Sequence, residues 1–270
     1  MTNVKISPSV LSVPMDQIGD AVKNLKEYGA DYIHCDCLDG VFAPNTSDGI
    51  QMVKICKANS TLPLDVHLMI MNPDKFIKDY VDAGADIITF HEAACTKTAE
   101  TLDLIHSYGK KAGLVLNPDV EVKSVIPYLD KVDVIMLMGV FPGFSGQKFI
   151  EYVLDKIVEL KKIIGNRNIL IELDGGVKAS NINEMVSRGV DICVGGSSVF
   201  NAPTIKEGID ALKNAWNVAK SCETSRFYRI NSRYGKKIGI QFGCLNYWLF
   251  IIKHGCPFSL DILCIRKRVQ

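Results

Sequence analysis

The feature that most constrains this chain is a rhythm. Eight short apolar runs recur over its first 217 residues: Val4–Ile6, Tyr32–Asp36, Leu64–Met69, Asp86–His91, Ala112–Leu116, Val134–Met138, Leu170–Asp174 and Ile192–Gly196. Amphipathic stretches lie between them, among them Met15–Tyr28, Asp74–Ala83, Thr96–Tyr108, Phe149–Ile164 and Ile182–Arg188. Strands alternating with helical patterns predict βαβ units and a parallel sheet. Runs that are β-branched and apolar on both faces predict strands covered by helices. The junctions repeat too. Tyr28-Gly29-Ala30-Asp31, Ala83-Gly84-Ala85-Asp86 and Arg188-Gly189-Val190-Asp191 each put Gly where a helix must end in a left-handed conformation, just before a strand. Eight such units in 217 residues predict a (β/α)8 TIM barrel. A doubly wound open sheet is the weaker rival, because no Gly-x-Gly-x-x-Gly follows the first strand.

Charge divides the chain in two. Residues 1–217 hold 21 Lys+Arg and 28 Asp+Glu, a net −7, while residues 218–270 hold 10 and 2, a net +8. We read 1–217 as the barrel domain and 218–270 as a basic C-terminal extension. A net-acidic barrel disfavours a nucleic-acid-binding body, and no nucleic-acid partner is expected for it. In the extension, Cys244, His254, Cys256 and Cys264 lack a standard zinc spacing. An appendage outside the barrel domain is expected there, ahead of contact with RNA or an acidic membrane surface. The opening MTNVKISPSV has no apolar core behind a basic start, so no secretory leader is expected, and no run of 18 apolar residues predicts a membrane span. Nine cysteines, an odd number, fit reduced thiols in a cytoplasmic protein.

In a barrel of this kind, chemistry gathers at the C-terminal ends of the strands. The second strand ends His34-Cys35-Asp36, and alternate residues point the same way, so His34 and Asp36 share a face and Cys35 and Cys37 pack outward. The third carries His67 on one face with Asp65 and Met69, and the seventh carries Glu172 and Asp174, with Asp174 at the exit. Taken singly, a strand histidine is usually a satisfied core residue and a strand-end Asp usually caps a loop. Two His and two Asp, costly to bury, at the ends of three strands predict a site for one divalent ion. Zn²⁺ or Fe²⁺ suit it first, with Mn²⁺ and Co²⁺ next. Pro142-Gly143-Phe144-Ser145-Gly146, Gly175-Gly176 and Gly195-Gly196-Ser197 follow the last three strands. Glycine loops there let backbone N–H groups approach an anion, which predicts phosphate, although glycines also serve tight turns. His91 reads as a structural residue or a support to the site, His106 as a surface residue, and Asp39-Gly40 as a turn orienting the ligand loop. Lys148 reads equally as a solvated lysine or an attractor of phosphate.

These residues resemble a known family. Ile6-Ser-Pro-Ser9-Val-Leu, His34-Cys-Asp36-Cys-Leu-Asp39-Gly40, Leu64-Asp-Val-His67-Leu-Met69, Asn72-Pro73, Pro142-Gly-Phe-Ser-Gly-Gln147, Asp174-Gly-Gly-Val177 and Gly196-Ser197 resemble the ribulose-phosphate 3-epimerases over roughly residues 3–217. The resemblance implies a metal-dependent (β/α)8 barrel interconverting D-ribulose 5-phosphate and D-xylulose 5-phosphate in the pentose phosphate pathway. It implies that His34, Asp36, His67 and Asp174 are metal ligands and that Asp36 and Asp174 are also the acid–base pair. Ser9 and His67 would contact the substrate, Gly143, Phe144, Ser145, Gly146, Gly175, Gly176, Gly196 and Ser197 would line the pocket and hold phosphate, and Met69 and Met138 would form an apolar wall. The partner expected is a small sugar phosphate, in a homo-oligomer.

The chain departs from the family pattern at Leu38, Val41, Ala43, Gly139, Phe141 and Ser145. Ser145 stands where Gly is usual, so strain is expected if that position needs positive φ. Val41 and Ala43 are smaller than usual, which would leave room for a longer sugar. The alternatives are therefore a ketohexose-phosphate 3-epimerase, such as one acting on D-allulose 6-phosphate, and a non-catalytic phosphosugar-binding barrel.

Overall fold

A computed structural model of the chain describes residues 4–216. The basic extension 218–270, with Cys244, His254, Cys256 and Cys264, lies outside the described residues. Eight parallel strands form one sheet: β1 (Lys5–Pro8), β2 (Ile33–Leu38), β3 (Leu64–Met69), β4 (Ile87–His91), β5 (Lys111–Leu116), β6 (Val134–Met138), β7 (Leu170–Asp174) and β8 (Ile192–Gly195). From β2 to β8 each strand pairs with its neighbour in sequence, and β8 pairs with β1, which brings β1 round to β2. The joint between β1 and β2 is closed by a parallel bridge between Ser9 and His34 and by the N–H groups of Asp31 and Tyr32 donating to Ile6 O. This is the expected barrel, and the circular order excludes the open sheet.

Helices cover the outside: α1 (Ile18–Val22), α2 (Gly49–Asn59), α3 (Ile77–Ala83), α4 (Thr98–Ser107), α5 (Val153–Ile164), α6 (Ile182–Arg188), α7 (Ser197–Phe200), and a helical run at 205–216. The predicted glycine ends are present. Gly84 has φ 115°, and its N–H donates to Tyr80 O and Val81 O. Two of the expected helices differ, and a third connection, where none was singled out, is also not an α-helix. Met15–Tyr28 is a 3₁₀ turn at Met15–Gln17, then α1, then further turns that keep Ile18, Val22 and Leu25 in the core. Asp74–Ala83 is split at Phe76 into a 3₁₀ turn and α3. Between β5 and β6 stands a 3₁₀ helix, Val122–Tyr128, with Pro127 inside it, since proline removes an N–H that an α-helix needs.

Alternation along the strands sorts side chains into two layers. Cys35, Cys37, Ile33, Leu68, Ile88 and Leu114 join the large core between sheet and helices. Their alternates line the barrel interior, which has two unlike halves. On β5 and β6 it is apolar, with Val115, Val134, Met136 and Met138. On β1 to β4 and β7 it is polar: nine of the eleven buried polar residues among those described, Ser7, Ser9, His34, Asp36, Asp65, His67, Thr89, His91 and Glu172, lie at these positions. Burying so many polar groups together is costly unless they serve one another or a ligand, and this half of the interior runs up to the mouth of the barrel.

Candidate active site

Asp36 is the hub. Ser9 Oγ donates to its Oδ2 at 2.6 Å. Its Oδ1 lies 3.1 Å from His67 Nδ1 and 3.3 Å from His34 Nε2. Asp174 Oδ2 lies 3.9 Å from His67 Nδ1. His34, Asp36, His67 and Asp174 each present a ligand atom, all within 4.8 Å of one another. The parity of the strands brings them together, because each is an inward residue: Asp174 ends β7, His67 and Asp36 lie in the second half of β3 and β2, and His34 sits one inward position deeper, since β2 runs on past Asp36 to Leu38.

The charges press on each other. Burial opposes ionisation of Asp36, but the His34 and His67 rings outweigh it and hold the carboxyl far below the usual range. Burial and the Asp36 charge push Asp174 up to about 6. Burial opposes protonation of His34, yet the Asp36 and Asp65 carboxylates outweigh it and raise the ring well above its ordinary value. Burial pushes His91 well below. Beneath the cluster, Asp65 Oδ2 lies 2.7 Å from His34 Nδ1 and accepts from Ser7 Oγ at 3.4 Å. Burial and the Asp65 charge raise the Glu172 carboxyl well above the usual range, while at Asp65 burial is outweighed by the neighbouring His34 ring, which lowers that carboxyl.

The donor set fits a divalent cation. Two imidazoles and two carboxylates converge, and His34 Nε2 is fully buried, faces them, and has no hydrogen-bond partner among the described residues. A buried ring nitrogen left bare is expensive unless something binds it.

A cavity opens from the cluster. Ser9, Asp36 and Asp174 line it, with Met69 and Met138 as its apolar wall. Gly143, Phe144, Ser145, Gly146, Gly175, Gly176, Gly196 and Ser197 form its rim. His34 and His67 are buried behind that lining. Glycine is required at two rim positions: Gly175 has φ 103° and a Cβ there would lie 2.5 Å from Val140 Cγ2, and Gly176 has φ 71° and would meet Phe149 at 2.7 Å.

Ser145 is not in the left-handed region; Asn72 is the one non-glycine residue there among those described, and Gly143 and Gly146 carry the turn instead. The expected strain is therefore absent. The Ser145 hydroxyl meets Ser12 Oγ at 2.6 Å, tying the β6 loop to the β1 loop, and Asn45 Nδ2 donates to Gly143 O at 2.8 Å. Val41 is exposed, and Ala43 is buried with Leu38 and Met69. Neither is among the residues that line the cavity, although Ala43 packs on Met69, which is. A Cβ at Gly139 would lie 2.3 Å from Gly175 O, so a larger residue there needs a different backbone.

Lys148 is exposed and away from the cavity, whereas Lys178, which the sequence did not single out, lines it. Asp39 accepts from the N–H groups of Val41, Phe42 and Met71, each at 2.8 Å, and so shapes the β2 loop as expected. His106 is half-exposed and pairs with Asp133 at 2.9 Å. Cys35, Cys37, Cys56, Cys95 and Cys193 are buried free thiols.

Fold and site together define a (β/α)8 barrel enzyme with a two-carboxylate, two-histidine centre at the C-terminal mouth. Solved structures share the barrel: KGPDC from Streptococcus mutans (TM-score 0.66, 12% identity, 80% of this chain and 98% of that one) and 3-hexulose-6-phosphate synthase from Salmonella typhimurium (TM-score 0.61, 16% identity, 79% and 98%). At that identity they speak for the fold. The model of the ribulose-phosphate 3 epimerase family matches residues 5–200. Ribulose-phosphate 3-epimerase of Bacillus subtilis (strain 168) is 40% identical over 215 residues, covering 78% of this chain and 99% of that protein. The Escherichia coli (strain K12) protein of the same name is 40% identical over 217 residues, 79% and 96%. The chloroplastic ribulose-5-phosphate-3-epimerase of Arabidopsis thaliana is 38% identical over 216 residues, 78% and 77%. The chain belongs to the ribulose-phosphate 3-epimerase family. Among its described residues, no helix is long and apolar enough to cross a membrane.

Proposed function

We propose that this enzyme interconverts D-ribulose 5-phosphate and D-xylulose 5-phosphate by inverting C3, with Asp36 and Asp174 as the proton-transfer pair. The observation that carries this reading is that the two carboxylates come from β2 and β7, line one cavity, and are driven apart in proton affinity. Carboxyl groups separated in this way are the usual division into base and acid. C3 lies next to a ketone, which makes its C–H bond weakly acidic. In one direction, Asp36 takes that proton from one face, the electron pair moves toward the ketone oxygen, and Asp174 returns a proton to C3 on the other face. In reverse the two exchange roles.

His34, Asp36, His67 and Asp174 would hold one divalent cation, and Zn²⁺, Fe²⁺, Mn²⁺ and Co²⁺ all suit that set. When bound, the cation supplies a Lewis acid for negative charge on the ketone oxygen. Ser9 orients Asp36 through its 2.6 Å bond. Met69 and Met138 exclude water from the reacting carbon. Backbone N–H groups of the Gly143–Gly146, Gly175-Gly176 and Gly196-Ser197 loops hold the phosphate, with Lys178 beside them on the cavity wall. With that reaction the enzyme belongs to pentose phosphate metabolism, and we propose a cytoplasmic homo-oligomer.

The test is a coupled assay of the full chain with D-ribulose 5-phosphate and, separately, D-allulose 6-phosphate. Preference for the pentulose is expected, and preference for the hexulose overturns the substrate assignment. Asp36→Asn and Asp174→Asn should each lose about 10²-fold or more in turnover with an unchanged far-ultraviolet circular dichroism spectrum. Near-normal turnover in either overturns the two-carboxylate scheme.

A further inference from the structure

The two histidines of the cluster face it with different nitrogens. His34 turns Nε2 toward Asp36, at 3.3 Å from Oδ1, and its Nδ1 lies 2.7 Å from Asp65 Oδ2. His67 turns Nδ1 toward Asp36 and Asp174, at 3.1 and 3.9 Å, and its Nε2 lies 2.9 Å from His91 Nε2. All of these groups except Asp174 are buried, so the outward nitrogens have little access to water. A neutral imidazole carries one proton on one of its two nitrogens, and a nitrogen that ligates a cation must be bare. If both rings ligate, the proton of His34 sits on Nδ1 and that of His67 on Nε2. Each is then a donor in a dry interior with one acceptor at hydrogen-bond distance: the Asp65 carboxylate for His34, with Glu172 Oε1 farther off at 3.8 Å, and the lone pair of His91 Nε2 for His67.

We infer that Asp65 and His91 are positioning residues that lock His34 and His67 in opposite tautomers, so that Nε2 of one ring and Nδ1 of the other are presented to the cation. Neither residue touches the substrate cavity. Both are themselves held in place. Asp65 accepts from Ser7 Oγ, and the His91 ring packs on Phe42 with centroids 4.5 Å apart. The inference rests on the reading of His34 and His67 as ligands, and it adds which nitrogen each uses and what enforces the choice. The two supports differ in chemistry. A carboxylate makes its histidine a more electron-rich ligand, and a neutral imidazole does so less, so the two histidines are unequal donors to one ion.

The experiment uses the full chain loaded with Zn²⁺. Long-range ¹⁵N–¹H spectra of the imidazole rings distinguish the tautomers directly. The chain has five histidines, and single His→Gln variants assign the signals. The expected result is a proton on Nδ1 of His34 and on Nε2 of His67. Zinc affinity is measured in parallel by competition with a chromophoric chelator. Asp65→Ala and His91→Ala should weaken it by about 10–100-fold, while Asp65→Asn and His91→Gln, which keep an acceptor oxygen near each ring, should stay within about threefold of the parent. A residue that only filled space would lower the melting temperature without moving the tautomer or separating the conservative variants from the alanines. If zinc binds, and His34→Ala and His67→Ala abolish it, but the two rings share one tautomer, the inference fails and the ligand reading stands. It fails likewise if the alanine variants at 65 and 91 bind zinc normally. A chain whose zinc uptake survives loss of His34 and His67, or that takes up none, overturns both.

Discussion

In the metal-free protein Asp174 is a liability to the fold, and replacing it should make that protein more stable. Burial and the neighbouring Asp36 charge raise its carboxyl from an ordinary 3.8 to about 6. The sign follows from the direction. A carboxyl whose folded value is raised gives the folded state its advantage only while protonated. It carries no penalty below about pH 4, and it loses stability as pH climbs from there through about 6. The gap, at 1.36 kcal/mol for each pH unit, amounts to about 3 kcal/mol at neutral pH. Asp174→Asn keeps the shape and removes the charge. The metal-free variant should therefore be about 3 kcal/mol more stable than the metal-free parent at pH 7.5, which for a domain of this size is roughly 6–12 °C in melting temperature. At pH 4 the two should converge. With zinc present the order should reverse, because the parent gains the binding free energy of an ion that the variant holds poorly. The assay is thermal unfolding followed by circular dichroism on chelator-stripped protein, with elemental analysis to establish that it is metal-free. A stripped variant that melts at or below the parent at pH 7.5, or a difference that persists at pH 4, would refute the reasoning.

Two further outcomes are expected. Stripping the enzyme with a strong chelator should abolish turnover, and Zn²⁺, Fe²⁺, Mn²⁺ or Co²⁺ should restore it; full activity in protein shown by elemental analysis to be metal-free would reject the metal site. Gly175→Ala, at φ 103° and 2.5 Å from Val140 Cγ2, should destabilise the protein by about 1–3 kcal/mol and raise KM for the sugar phosphate, whereas Gly165→Ala, also at positive φ but with nothing within 4 Å, should lower stability and leave KM unchanged.

The strands were legible because the outward face of every strand is apolar and helices, several of them glycine-ended, separate the runs, and each of the eight runs overlaps an observed strand. The helices were less so. No helix was singled out between β2 and β3, where α2 spreads Lys54 and Lys57 among Met52, Val53 and Cys56 and blurs its apolar stripe. No helix was singled out in the β5–β6 connection either, where a 3₁₀ helix with Pro127 inside it buries Val122 and Val125. In the site, His34, Asp36, His67 and Asp174 could be found because strand parity and position along the strand settle both direction and depth. Parity also placed Asp65 and Glu172 on the inward face, but not beside His34, since that depends on the stagger between strands β2, β3 and β7. The contact of His91 with His67 was hidden for the same reason, as β3 and β4 bring Thr89, not His91, opposite His67. The pairing of Ser12 with Ser145 joins loops 133 residues apart and has no local signal.

The circular pairing of β1 with β8 has a consequence for the order in which the protein is made. All four cluster residues precede Pro8's partner, Gly195, and Ser9, which holds Asp36, itself donates its N–H to Gly195 O at 3.1 Å. A chain emerging from the ribosome therefore carries every candidate ligand by residue 174 while its first strand still lacks the ladder partner β8. Contacts this distant along the chain are slow to form and come late. Until the eighth strand arrives, a half-polar interior that the finished barrel keeps dry stands open to solvent, and a nascent chain in that state has all the ligands but no pocket.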